Sequence, residues 1–248
     1  MTTENILESE GYCSTCNQMV SFVAKNAWLR DHFFCTKCGS IPRERALMHV
    51  IEQFYPNWRD LIIHETSPGN RGASVRLAQE CKNYIPSQFF LGQKLGAIYS
   101  GMRCENLEAL SFDDESIDLH ISQDVMEHIF HPDKAFKEVA RTLKPGGAHI
   151  FTVPLMNKTK KSERWASQNK AGKIIYHHEP EYHGNPIDAT GALVTMHWGF
   201  DLAGFITEVA KTPTTIISID NLNLGIRAEY IEVLMSVKCD GLSELTNE

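Results

Sequence analysis

One stretch decides the fold: Cys104–Pro154, which reads CENLEALSFDDESIDLHISQDVMEHIFHPDKAFKEVARTLKPGGAHIFTVP. Two of its segments, Ile117–Ser122 and Ala148–Val153, are rich in Ile, Val and Phe, as buried strands are. Between them the apolar residues recur with the period of a helix, which begins near His131 and ends at the breaker Lys144–Gly147. Strand, helix and strand in this order form a βαβ unit, so the stretch predicts a parallel α/β sheet.

The same stretch indicates where a ligand binds. In open α/β sheets, ligands lie at the carboxyl ends of the strands. Ser122–His128 follows the first of the two strands, and Pro154–Asn157 follows the second. We therefore expect both segments to contribute to a site at one edge of the sheet.

Four short motifs follow one another within this stretch: Asn106–Phe112, Ser116–Asp118, Asp124–His128 and Arg141–Gly147. In this order they resemble the class I S-adenosylmethionine-dependent methyltransferases, specifically the methyltransferase type 11-like group. The resemblance implies a Rossmann-like class I methyltransferase fold, with a mostly parallel seven-stranded sheet that is flanked by helices and ends in an antiparallel hairpin. The alternative is an unrelated Rossmann-like sheet.

Composition and charge exclude several classes of protein. The chain has 248 residues, 42% of them hydrophobic and 22% charged, which suits one α/β domain with a small additional module. No apolar run approaches the ~20 residues that a membrane helix needs. The N-terminus is acidic and lacks a signal-peptide core, so we expect a cytoplasmic protein. A net charge of −7 does not favour nucleic acid as a partner.

Four cysteines near the N-terminus predict a metal site. Cys13 and Cys16 form one Cys-x-x-Cys pair, Cys35 and Cys38 form another, and 18 residues separate the pairs. This spacing suits a tetrahedral Cys₄ zinc site, and four sulfur ligands leave no open position, so the zinc would be structural. Disulfides are the less favoured interpretation for a chain without a secretory signal.

We accordingly divide the chain into three parts. Residues 1–40 form a small zinc-ribbon-like Cys₄ module, 41–57 a connecting helix, and 58–240 a class I methyltransferase domain with a substrate-side insertion at about 155–194. Within the helix, Arg43 and Arg45 are interpreted as ties between the module and its neighbour, or else as contacts to an anionic substrate or RNA.

The resemblance also implies where S-adenosylmethionine binds. The loop after the first strand is similar to the family's E-x-G-x-G-x-G turn: Glu65 and Gly69 fit, while Ser67 stands where a glycine is usual. At Ser87 and Asn106 the chain has neutral side chains in place of the usual carboxylates, and neutral groups make weaker hydrogen bonds. The cofactor-binding candidates are Glu65, Ser67, Gly69, Ser87, Gln88, Asn106, Leu107, Ser122 and Gln123.

The insertion supplies candidates for the acceptor side. Within 177–183 the chain has three His, two Glu and one Tyr. We predict that His178 or His183 is a general base near the methyl group, with Tyr182 shaping the pocket. Asp124 and His128 are expected to face the acceptor as well.

Two other interpretations of the insertion remain open. One is a metal site formed by His177, His178, Glu181 and His183, because imidazole and carboxylate groups are suitable ligands. The other is a polar surface loop without a chemical role.

The predicted function is methyl transfer to a hydroxyl or amine of a small-molecule or sugar-like metabolite. One alternative is an RNA methyltransferase, with Arg43, Arg45 and Lys158–Lys161 as its contacts. The other alternative is a non-catalytic, zinc-bearing relative of the methyltransferases that binds a partner protein.

Overall fold

The structure is a computed structural model and describes residues 4–184 and 190–239. The strands are β1 Leu7–Cys13, β2 Gln18–Ala24, β3 Phe33–Cys35, β4 Ile62–Thr66, β5 Asn83–Gln88, β6 Ile98–Tyr99, β7 Met102–Cys104, β8 Ile117–Gln123, β9 Leu143–Thr152, β10 Glu163–Arg164, β11 Ala166–Gln168, β12 Ile174–Tyr176, β13 Tyr182–His183, β14 Ala192–Leu193, β15 Met196–His197, β16 Thr214–Ile217 and β17 Val233–Val237. The helices are α1 Leu29–His32, α2 Pro42–Phe54, α3 Gly72–Glu80, α4 Pro132–Thr142 and α5 Leu202–Ala210, with 3₁₀ turns at Trp58–Asp60, Met126–His128 and Leu222–Leu224. None of the helices within these ranges is long and apolar enough to span a membrane.

Eight of the described strands form the main sheet, in the order β16-β17-β9-β8-β4-β5-β7-β6. Four neighbouring pairs are parallel, namely β9-β8, β8-β4, β4-β5 and β5-β7. At the other end, β17 pairs antiparallel with β9 and forms an antiparallel hairpin with β16. The predicted Rossmann-like α/β fold, including its terminal hairpin, is confirmed.

The main sheet has one described strand more than the seven we predicted. The additional strand is β6, which pairs antiparallel with β7, Tyr99 opposite Met102. The turn residues Ser100 and Gly101 have φ values of 49° and 80°, the left-handed backbone that favours two-residue hairpins. Periodicity cannot reveal a strand of two residues, so the hairpin was missed.

The parallel strands are buried on both faces, which explains their dense apolar composition. On one face α2 and α3 pack against the sheet through side chains such as Leu47, Leu77 and Ile121. On the other face α4 and α5 do so through Phe136 and Leu202. The helix α2, which we predicted as a connector, therefore contributes to the main core.

After β9 the sequence predicts a short strand over Ala192–Met196 and an amphipathic helix over Trp198–Val209, and the structure gives both elements different bounds. Ala192–Met196, predicted as one strand, is divided between β14 and β15. The helix predicted over Trp198–Val209 begins at Leu202, because Trp198 is buried in the core and its indole N–H donates to the Met126 carbonyl. An apolar residue that packs ahead of a helix adds to the helical pattern without belonging to the helix.

The N-terminal residues form a separate three-stranded antiparallel sheet, β1-β2-β3. Its small core consists of Cys13, Phe22, Ala24, Phe33 and Cys35. The module packs on the main domain through Arg45, which donates hydrogen bonds to the carbonyls of Phe33 in the module and Gly225 in the domain. Arg45 therefore joins the module to the domain, but through backbone carbonyls, and the salt bridges expected of it are absent among the described residues.

Candidate active site

A cavity of about 1220 Å³ lies at the carboxyl ends of the parallel strands. Its lining includes Ser67 after β4, Gln88 at the end of β5, Gln123 at the end of β8 and Pro154 after β9. The opposite wall comes from the N-terminal module and from the segment after β9. This is the position that the rule for open α/β sheets predicts.

Three of the nine cofactor candidates line the cavity: Ser67, Gln88 and Gln123. The backbone of Ser67 has a φ of 52°, and its N–H donates to the Ser87 carbonyl at 2.8 Å, which holds the loop against β5. Gln88 is 8% exposed. Hydroxyl and amide groups both donate and accept hydrogen bonds, so this end of the cavity suits a polar ligand.

Glu65 lies beneath this end of the cavity and is fully buried. Its carboxylate accepts hydrogen bonds from Ser74 Oγ at 2.6 Å, Tyr84 OH at 2.8 Å and Gln123 Nε2 at 3.1 Å. Burial raises the pKa of Glu65 even though these three donors act in the opposite direction. The carboxylate therefore connects β4 with α3, β5 and β8 through hydrogen bonds. It does not line the cavity.

The remaining cofactor candidates also lie outside the cavity lining; they are Gly69, Ser87, Asn106, Leu107 and Ser122. Ser87 Oγ is hydrogen-bonded to His64 Nε2 at 2.7 Å, and Ser122 Oγ to His149 Nε2 at 3.0 Å. Both serines are buried between strands and helices. The Asn106 side chain accepts a hydrogen bond from the main chain two residues later. The side chains of Ser87, Asn106 and Ser122 therefore form hydrogen bonds within the domain itself.

Asp124 lines the cavity and connects the domain to the module. Its Oδ2 lies 2.7 Å from Arg30 Nη2 and 3.0 Å from Arg43 Nε, and its Oδ1 accepts from Thr152 Oγ1 at 3.1 Å. Burial acts to raise the pKa of Asp124, but the two guanidinium groups outweigh it and hold the pKa below its usual value. A carboxylate held by two cations is a poor proton acceptor, so its place in the site is structural.

Three side chains converge at one end of the cavity: Glu127, His128 and His183. Glu127 Oε1 lies 3.7 Å from His128 Nε2 and 3.6 Å from His183 Nδ1. The two imidazole rings meet edge to face with centroids 5.1 Å apart, and both line the cavity. The Glu127 carboxylate raises the pKa of His183, although burial of the ring acts in the opposite direction.

The other two acceptor-side candidates lie away from this group. His178 stacks on Trp165 with ring centroids 4.0 Å apart and pairs with Glu163 at 3.0 Å. Tyr182 is 50% exposed, and its hydroxyl lies 3.5 Å from that of Tyr176. Neither residue lines the cavity.

The aromatic side chains of the cavity were not predicted from the sequence. Trp28 and Tyr230 are far apart in the chain, yet their ring centroids lie 6.2 Å apart at the cavity wall. Phe89 and Phe90 line the cavity directly after β5. Two consecutive aromatic residues after a strand were a usable signal, since ligands bind at strand ends. No local pattern connects Trp28 with Tyr230.

The four cysteines of the module converge as their spacing predicts. All four sulfur atoms lie within 4.8 Å of one another. The Cys13–Cys38 and Cys16–Cys35 sulfur distances are 3.8 and 3.9 Å. Sulfur atoms bound at 2.3 Å to one tetrahedral zinc lie about 3.8 Å apart, so the residues fit the ion.

Comparison with known proteins identifies part of the chain. Residues 76–151 match the family model described as a methyltransferase domain. Over these residues the chain is similar to a methyltransferase domain. The match covers α3 to β9, the segment that contains the resemblance described above. It supports S-adenosylmethionine as the cofactor.

Several solved structures are similar to this chain. An S-adenosylmethionine-dependent methyltransferase from Mesorhizobium loti shares 16% identity over 77% of this chain and 96% of its own, with a TM-score of 0.46. The 1,6-didemethyltoxoflavin-N1-methyltransferase of Burkholderia thailandensis shares 9% identity over 80% of this chain and 79% of its own, with a TM-score of 0.48. The YcgJ protein of Bacillus subtilis shares 12% identity over 79% of this chain and 99% of its own, with a TM-score of 0.47. No curated protein matches the chain significantly.

Proposed function

We propose that this protein transfers a methyl group from S-adenosylmethionine to a hydroxyl or amine of a small-molecule or sugar-like metabolite. One observation carries the proposal: a single cavity at the strand ends is lined both by neutral hydrogen-bonding groups and by titratable groups. A cofactor and an acceptor that share one cavity can be held in line for direct transfer.

The residues that would hold the cofactor are Ser67, Gln88 and Gln123, with Phe89 and Phe90 beside them. Their amide and hydroxyl groups suit the polar parts of S-adenosylmethionine, and aromatic rings suit a flat heterocycle. When bound, the cofactor would supply an electrophilic methyl group. Glu65 takes no direct part in this arrangement, since its carboxylate is bonded to Ser74, Tyr84 and Gln123.

The contribution of the chain to the reaction is alignment. The acceptor atom forms a bond to the methyl carbon while the carbon–sulfur bond breaks and its electron pair stays on sulfur. A hydroxyl acceptor also loses its proton. Holding the two reactants in line lowers such a barrier by about 7–11 kcal/mol in favourable cases. His128 and His183 are the groups of the cavity that lie on the acceptor side.

The position of the N-terminal module favours a small-molecule acceptor. Trp28, Arg30 and Asp31 of the module line the cavity, so the acceptor would lie between the module and the domain. Trp28 and Tyr230 offer aromatic faces, which suit the apolar face of a sugar ring. Extended nucleic acid fits less well, because the chain carries a net charge of −7.

A second candidate is a non-catalytic protein that has kept the methyltransferase fold for binding a partner. It is favoured by one observation, namely that Glu65 and Ser87, two positions expected to contact the cofactor, are engaged by other residues of the chain.

Calorimetric titration of the zinc-loaded protein with S-adenosylmethionine and S-adenosylhomocysteine tests the proposal. We expect micromolar binding that weakens at least tenfold in Gln88→Leu, which removes a polar group from the cavity. The matched control is Gln79→Leu, at an exposed position of α3, and it should bind like the wild type. Absence of binding at millimolar ligand would contradict the proposal and favour the non-catalytic protein.

A further inference from the structure

Glu127 is an exception to the rules for buried charge. Its side chain is 2% exposed, and neither of its carboxylate oxygens has a hydrogen-bond partner among the described residues. Burying a carboxylate without hydrogen bonds is costly, so buried charges in proteins are hydrogen-bonded and paired, or they bind metal ions. The groups nearest to its Oε1 are His128 Nε2 and His183 Nδ1, at 3.7 and 3.6 Å.

The second nitrogen of each ring has a partner of its own. His128 Nδ1 lies 2.9 Å from the Leu193 carbonyl, which only accepts, so Nδ1 carries the proton. His183 Nε2 lies 3.2 Å from Glu181 Oε1, which favours a proton on Nε2. In these tautomers the lone pairs of His128 Nε2 and His183 Nδ1 both face Glu127. Histidine ligands of metals have outer partners of this kind, a carbonyl or a carboxylate.

From this geometry we infer that Glu127, His128 and His183 hold one divalent cation at the acceptor side of the cavity. Distances of 3.6 and 3.7 Å are too long for hydrogen bonds. They suit two ligands of one ion, since atoms bound at about 2.1 Å with an angle near 120° lie about 3.6 Å apart. The three ligand atoms lie within 4.8 Å of one another.

The ligand set determines the class of cation. Two imidazoles and one carboxylate favour Zn²⁺, Fe²⁺ or Mn²⁺ over Mg²⁺ and Ca²⁺, which prefer oxygen ligands. Glu127 and Glu181 bring two negative charges to the two rings, and a dication balances these charges. Three protein ligands leave positions open, and because His128 and His183 line the cavity, those positions would face the space that the proposed acceptor occupies. The site therefore differs in kind from the closed Cys₄ site of the module.

If the proposed methyl transfer is correct, the cation has a role in it. An acceptor hydroxyl bound at an open position would be more acidic than in water, as metal-bound water is. It would lose its proton to solvent, and its oxygen would take the methyl group from the sulfonium, leaving a neutral thioether. The cation would also orient a second oxygen of the acceptor, so vicinal diols and hydroxy acids are the favoured substrates.

Titration with Mn²⁺ tests the site on the full-length protein, loaded with one equivalent of zinc for the four thiolates and freed of any excess zinc, which would otherwise occupy the second site. Free Mn²⁺ is measured by electron paramagnetic resonance, and Mn²⁺ does not compete well for thiolates, so the Cys₄ site does not interfere. We expect one Mn²⁺ bound per chain. Glu127→Gln and His183→Ala should each weaken binding at least tenfold, with unchanged circular dichroism.

His177→Ala is the matched control. His177 lies in the same insertion, but its ring bonds to Ser167 and is not part of the group, so this variant should bind Mn²⁺ like the wild type. Absence of Mn²⁺ binding in the wild type would overturn the inference, as would binding that survives both Glu127→Gln and His183→Ala. Because no cofactor or acceptor is present, this result is independent of whether S-adenosylmethionine binds.

Discussion

At the scale of single residues, Arg45 connects three parts of the chain through one buried guanidinium group. Its Nε and Nη2 donate to the Gly225 carbonyl at 2.9 and 2.6 Å, and Nη2 also donates to Phe33 at 2.8 Å. The Nη1 group donates to the Ser40 carbonyl, and the guanidinium lies over the Phe22 ring at 4.7 Å. Burial lowers the pKa of Arg45 to about 10, so it remains charged at neutral pH.

Replacement of Arg45 should therefore destabilise the protein strongly. In Arg45→Met the carbonyls of Phe33, Ser40 and Gly225 lose their donor, and each buried, unpaired group costs about 1–3 kcal/mol. We expect the free energy of unfolding, measured with urea in zinc-containing buffer, to fall by more than about 3 kcal/mol. The control Arg59→Met removes an arginine that is 40% exposed, and it should change stability by less than about 1 kcal/mol. Equal effects of the two substitutions would show that Arg45 is not a structural tie.

At the scale of secondary-structure elements, the central strands carry buried histidines at neighbouring positions. His64 of β4 and His120 of β8 are opposite each other, with their Nδ1 atoms 2.8 Å apart. Burial lowers the pKa of His64 to about 3, with a smaller contribution from Arg103. Burial likewise lowers the pKa of His149 on β9 to about 3 and that of His120 well below its usual value.

These histidines predict that stability decreases on mild acidification. In the unfolded chain they bind protons below about pH 6.5, whereas in the folded protein they stay neutral until the pH is far lower. Between these limits the unfolded state binds more protons than the folded state. The free energy of unfolding therefore decreases by about 1.4 kcal/mol per histidine for each unit by which the pH is lowered. Urea unfolding at pH 7.5, 6.5 and 5.5 measures this slope.

The variant His149→Gln, which keeps a polar group beside Ser122, should have a smaller slope than the wild type between pH 6.5 and 5.5. His131→Gln is the control, because the His131 side chain is 39% exposed. A slope that is the same in all three proteins would mean that the buried rings are not the source of the pH dependence.

At the scale of the whole molecule, the N-terminal module forms one wall of the cavity. Arg30 of the module and Arg43 of α2 both hold Asp124 at the end of β8. Trp28 of the module faces Tyr230 of the domain. The structure of the module should in turn depend on a metal ion bound by its four cysteines, since a module of this size has a small core.

Removal of zinc should accordingly unfold the module and open the cavity. We expect a strong chelator to lower the midpoint of thermal unfolding by on the order of 10 °C, since several kcal/mol of metal binding would be lost. Limited proteolysis should cut within residues 4–40 while the main domain stays intact. The experiment is best done on His183→Ala, where the second cation no longer contributes. An unchanged thermal midpoint, with zinc shown to be removed, would contradict the prediction.

The features that the sequence by itself determined are local. The strand–helix–strand periodicity of Cys104–Pro154 predicted the parallel sheet, because a helix and a strand repeat their buried faces at different intervals. The Cys-x-x-Cys pairs predicted the convergence of four thiols, because each pair makes its own turn. The loops after β4, β5 and β8 were predicted from the positions of their strands, because ligands bind at the carboxyl ends of strands in open α/β sheets. Only some of the polar side chains of these loops line the cavity.

Contacts between distant segments were decided only by the tertiary structure. Asp124 looked free to face an acceptor, yet it is paired with Arg30, 94 positions away in the chain. Glu65 looked like a cofactor ligand, yet Gln123 and Tyr84 bind its carboxylate. The group of Glu127, His128 and His183 exists only because the insertion folds back over the end of β8. Local patterns report which side of an element is buried, whereas the partner of a buried polar group depends on how the elements pack.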